Sequence, residues 1–166
     1  MLNSKFFLEL ENYIQLYQEE ITILYSKSEH YEVLESEMDI QEIELSDYIK
    51  SNRQPTLQQV LFSYIDKSGL SDPEVYKKAG IDRKHFSKIR NNANYLPKKN
   101  SLIALSFALE LNRDDLDHLL SAAGYSLSNS DTNDLVVQFC MEKKMYNLFD
   151  VNEALNYFGL EPLLQF

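Results

Sequence analysis

An all-α protein is the fold class this sequence predicts, and three observations predict it. Gly and Pro are scarce, four of each in 166 residues, too few for a turn-rich β protein. Apolar residues recur at steps of three and four in several segments, the repeat of one helix face. Helix start and stop signals then follow one another in order across residues 56–159.

The first element reads as an amphipathic helix over residues 4–26. Phe6, Leu10, Tyr13, Tyr17, Ile21 and Leu24 form its stripe, and Glu9, Glu11, Glu19 and Glu20 fall largely off it. Residues 27–50 mix apolar Val33, Leu34, Met38, Ile40, Ile43, Leu45, Tyr48 and Ile49 with acids. No period dominates, so a loop with one or two short helices is expected. The polar stretch 51–55 marks a boundary. The chain thus divides into an acidic helical extension, 1–50, and a helical domain, 51–166.

From Thr56 onward helix signals come in regular order. Thr56 with Gln59 makes a capping box ahead of an apolar face of Leu57, Val60, Leu61, Tyr64 and Ile65, and Gly69 ends that helix. Ser71 with Glu74 makes a second box, Pro73 sits in the first turn, and the helix stops at Gly80. Asp82 caps a helix over 83–92. The segment 101–111 is nearly all apolar and predicts a central buried helix. Asn112 caps a helix over 113–123, which Gly124 ends. After a polar run, 126–134, a helix over 134–144 follows. Asp150 with Glu153 predicts a third capping box, for a short helix closed by Gly159.

Charge is unevenly placed. Residues 1–50 hold twelve acids and three bases, net −9, and the whole chain is −10. Residues 77–99 hold eight bases, Lys77, Lys78, Arg83, Lys84, Lys88, Arg90, Lys98 and Lys99, against one acid, Asp82, net +7. An acidic chain repels a polyanion everywhere except at such a patch. One Cys excludes an internal disulfide and an all-Cys zinc site and fits a reducing cytosol. No signal peptide is evident, and no apolar run reaches the ~18 residues that span a bilayer. A cytoplasmic protein without membrane contact is expected.

The residues from Glu74 to Arg90 carry a resemblance. Gly80, Ile81 and Asp82 stand in the order turn glycine, apolar turn residue, polar cap. Val75, Phe86 and Ile89 fall at core positions. Together with the five helices over 56–123 this resembles the lambda-repressor-like helix-turn-helix domain. Segments 71–92, 104–112 and 119–139 are similar to a bacterial variant of that domain. The variant occurs alone or at the C-terminal end of some macrodomain and defence-associated proteins. The likeness covers about residues 55–164 and implies that the last two helices belong to the module. It implies that Arg83, Lys84, His85 and Lys88 point outward near the start of a recognition helix, the part that meets a major groove. Arg90 and Asn91 extend that surface, and Lys77, Lys78, Lys98 and Lys99 are placed to hold flanking phosphates. Two features depart from the family. Asp72 and Pro73 stand where a phosphate-binding Gln is common, and Tyr76 stands where a small residue is usual.

Other candidates read as structure. Cys140 shares the apolar face of its helix with Leu135, Val136 and Phe139, as a small buried side chain does. His30, His85 and His118 lack metal-ligand spacing. His118 belongs on the polar side of its helix, and His85 is a possible hydrogen-bond donor on the recognition-type helix. Tyr95, near Asn92, Asn94 and Lys98, is the best base-stacking candidate. Asp114 and Asp115 complement a helix dipole. No phosphate loop, nucleophile elbow or HExxH is present, so no enzyme, metal or cofactor is expected.

The reading is a cytosolic regulator that binds nucleic acid, DNA more than RNA, through a basic helix-turn-helix. The alternative is a protein-interaction module, an adaptor or inhibitor in a bacterial stress or phage-defence system, that keeps this fold. The N-terminal extension packs on the core, shields the +7 patch, or dimerises through its stripe.

Overall fold

The computed structural model describes residues 2–27 and 42–163. The described chain is helical, with no strand: α1 (Ser4–Lys27), α2 (Glu42–Asn52), α3 (Leu57–Ser68), α4 (Asp72–Lys78), α5 (Arg83–Asn91), α6 (Lys99–Ala108), α7 (Arg113–Ala122), α8 (Thr132–Glu142) and α9 (Leu148–Tyr157). The apolar segment 33–40 and His30 lie outside the described residues, as do the side chains of Ile21, Leu24 and Ile43. No described helix is long and apolar enough to cross a membrane.

Local chemistry sets most boundaries. Thr56 accepts from the Gln59 amide at 3.3 Å, and the Gln59 side chain accepts from the Thr56 amide at 2.9 Å. At α4 the Glu74 carboxylate accepts from both the amide and the hydroxyl of Ser71, at 2.8 and 2.6 Å. Asp82 and Asn112 each accept from the amide three residues on, at 2.9 Å. Gly69 ends α3 at φ +69°, where a side chain would be strained.

Three helices, α9, α8 and α6, differ in their bounds from the sequence expectation. The cap of α9 is Asn147, which accepts from the Phe149 amide at 3.0 Å. Asp150 falls one turn too late and sits inside the helix, so the box expected with Glu153 does not open it. Helix α8 starts at Thr132, because Asp131 accepts from the Asn133 and Asp134 amides. Helix α6 starts at Lys99 and stops at Ala108, short of residue 111, because Glu110 turns left-handed at φ +54°.

The core is layered around α6, whose residues 101–108 are all buried. It packs against α4, α7 and α9, while α7 also packs on α3 and α8. Leu102, Leu105, Leu116, Leu119 and Leu120 have no exposed surface. Each is stabilising by about 1.5–3 kcal/mol relative to an exposed leucine.

Helix α1 lies on α8. Leu10 and Ile14 are buried, and the rings of Phe6 and Tyr13 meet Phe139 edge-on at 5.3 and 5.2 Å. Off the stripe, Glu9 pairs with Lys143 at 2.7 Å. Tyr13 donates to Glu142 at 2.9 Å, and Tyr157 donates to Glu11 at 2.7 Å. The near half of the expected dimer stripe therefore faces this chain's own core.

Candidate nucleic-acid interface

Helices α4 and α5 are held at a fixed angle by the turn 79–82. Gly80 adopts φ +64°, and the Ile81 amide returns to the Tyr76 carbonyl at 2.9 Å. Ile81 is buried and wedges the two helices together. Phe86 and Ile89 anchor α5, and Phe86 meets Phe62 of α3 edge-on at 6.4 Å. Tyr76 finds its room by lying half-buried against Phe86, ring centres 5.7 Å apart. Gln58 of α3 donates to the Ile89 and Arg90 carbonyls at 2.8 and 3.2 Å. It satisfies acceptors that a helix end leaves open. Nothing in sequence marks Gln58, because its partners lie thirty residues away.

With 3.6 residues per turn, Arg83, Lys84, Ser87, Lys88 and Asn91 share the face opposite Phe86 and Ile89. All five are exposed. Asn91 donates to Ser87 at 2.9 Å, so its amide is already oriented. The Asp82 carboxyl is held below its usual range, first by the His85 amide and also by nearby Lys84.

Of the ten residues expected at this site, four are engaged differently. Arg90 points to the flank and binds Asp72 at 2.5 Å, with its guanidinium 4.2 Å from the Phe62 ring centre. That pairing gives Asp72, which stands where the resemblance leads one to expect a Gln, a cationic partner. Lys99 reaches inward to Asp134, 2.6 Å away and almost fully buried, which also accepts from the Ser128 amide at 2.7 Å. These contacts tie α6, the loop before α8 and α8 together. Lys78 lies 3.5 Å from Glu110. His85 does not point outward: it is half-buried, edge-on to Tyr95 at 5.8 Å. Its Nε2 is shut off from solvent with no partner among the described residues.

Five cations remain: Lys77, Arg83, Lys84, Lys88 and Lys98. All are exposed, and none has a salt bridge among the described residues. Tyr95 is half-buried beside Leu96 in a cleft of about 470 Å³ against the start of α3 and the end of α7.

The other candidates sit away from this face. Cys140 is fully buried, and burial pushes its thiol up to about 12. His118 is exposed on α7 with Nδ1 3.0 Å from the Tyr64 hydroxyl. That hydroxyl donates to Asp115 at 3.0 Å. Burial and the Asp115 charge push the Tyr64 phenol up to about 12. Among the described residues no group of His, Cys, Asp and Glu could hold a metal ion. No protein-family model, curated protein or solved structure matches the chain.

Proposed function

We propose that the protein is a nucleic-acid-binding regulator, with α4, the turn and α5 working as a helix-turn-helix of the lambda-repressor-like kind. The observation that carries this reading is the set of five exposed cations without salt-bridge partners among the described residues, in a chain of net charge −10. On this reading Arg83 and Lys84 enter the major groove with the first turn of α5, and Lys88 follows one turn later. Ser87 and Asn91 add hydrogen-bonding groups on the same face. Lys77 and Lys98 hold phosphates on either side. DNA is favoured over RNA, because a single exposed helix fits the wide major groove of B-form duplex and not the narrow one of A-form.

The test is fluorescence anisotropy with random-sequence duplex DNA and RNA, using the full chain. Reversal of Arg83, Lys84 and Lys88 to Glu abolishes DNA binding and leaves the helical circular dichroism unchanged. A folded triple variant that binds with the wild-type salt dependence refutes the reading.

A further inference from the structure

Helix α2 carries an apolar face left open among the described residues. Leu45, Tyr48 and Ile49 recur at steps of three and four, so they form one stripe. They are 46%, 66% and 47% exposed, and every residue from Glu44 to Asn52 is exposed. None of the three belongs to the core, and α2 has no major packing partner among the described helices. A helix of 11 residues is marginal in water when it stands alone. An uncovered stripe on such a helix marks a contact surface.

Charge says which partner fits. Two acids, Glu44 and Asp47, stand in the first part of this segment, and two bases, Lys50 and Arg53, follow. All four are exposed, and none has a salt bridge among the described residues. Residues 44–53 are therefore neutral, in a chain whose first fifty residues carry twelve acids and three bases. Elsewhere on that extension a second copy meets like charge, which opposes association. A strongly acidic or basic partner finds no net charge to pair with on α2. A copy of α2 that runs the opposite way lays its acidic half along the basic half of the first, and its stripe covers the other stripe.

We propose that α2 is the contact through which two copies of this chain associate, their α2 helices antiparallel and joined through Leu45, Tyr48 and Ile49. The same patch serves both copies, as a two-fold pair requires. Three apolar side chains from each copy make a small interface, of the class of transient complexes, so the pairing is weak. The contact lies outside α4 and α5 and does not depend on what those helices bind.

The test is sedimentation equilibrium of the full chain without nucleic acid. Between about 5 and 500 µM the chain passes from monomer to dimer, with a Kd on the order of 100 µM. Ile49→Asp weakens the association by at least about tenfold, because each copy then buries a charge in the contact. The pair Lys50→Glu and Arg53→Glu, and separately the pair Glu44→Lys and Asp47→Lys, place like charges along the contact. Each double variant associates roughly threefold or more weakly than the wild type. Mixed in equal amounts, the two double variants pair with each other at least as tightly as the wild type pairs with itself. Helices that had merely frayed do not recover in this way. A chain that stays monomeric at about 500 µM overturns the proposal. So does a dimer that survives Ile49→Asp, a charge variant that associates like the wild type, or a mixture that does not recover.

Discussion

Salt titration of duplex affinity counts the cations that reach phosphate. Each neutralised phosphate contributes about −0.9 to the slope of log affinity against log salt on B-DNA. Lys77, Arg83, Lys84, Lys88 and Lys98 have no salt bridges among the described residues. Five such contacts give a slope near about −4.5, a loss of about 500-fold between roughly 50 and 200 mM salt. Engagement of all eight bases in the window gives about −7 and a loss of about 20,000-fold. Two single substitutions then separate grip from scaffold. Lys88→Ala reduces the slope to about −3.6. Arg90→Ala leaves it near about −4.5. It lowers stability by about 1 kcal/mol, because Asp72 loses its partner and the Phe62 ring its cation. Anisotropy on random-sequence duplex reads the slope, and urea denaturation reads the stability. Equal slope losses in the two variants, or a wild-type slope near about −7, refute the division of the patch into free and committed cations.

Three further outcomes are expected. Lys99→Met leaves the Asp134 carboxylate buried with only the Ser128 amide, and the urea midpoint falls by the equivalent of about 3 kcal/mol. Lys144→Gly relieves a left-handed backbone at φ +55°, raising stability by about 0.5–1 kcal/mol in thermal melts. On acidification, Asp82 and Glu74 lose their capping contribution. Both carboxyls are lowered in the folded state, so that contribution is present above their ordinary values of 3.8 and 4.5 and is lost as pH falls through the folded ones. A double Asp82→Asn, Glu74→Gln variant therefore loses less stability between neutral and acid pH than the wild type, read by urea midpoints.

What was legible in the sequence was local. The boxes at Thr56 and Ser71, the cap at Asp82 and the stop at Gly69 each join residues within four positions. Their chemistry is complete in the sequence itself. The α9 cap was missed because Asp150 and Asn147 are both good caps, and only the backbone path decides between them. The ends of α6 and α8 were misjudged because Glu110 and Lys144 occupy the left-handed position where glycine is the usual signal. In the candidate site, the resemblance implies an outward Arg83, Lys84, His85 and Lys88, and all but His85 are exposed. The pairings of Arg90 and Lys99 were not legible, because their partners Asp72 and Asp134 lie 18 and 35 residues away. The α2 stripe was hidden, because Leu45, Tyr48 and Ile49 stand in a segment where no period dominates.

The clasp of α1 onto α8 also bears on the order in which the protein matures. Tyr13 and Glu142 are 129 positions apart. At 5–20 residues per second, a ribosome takes roughly 6–26 s to cover that interval. For that time the face bearing Leu10 and Ile14 has no α8 to cover it. Helices α3 to α7 pair with one another within residues 57–122 and can consolidate earlier. The α1 contact is thus a late, long-range closure. A nascent chain stalled before α8 presents an apolar helix to chaperones, while α4 and α5 already have most of their support.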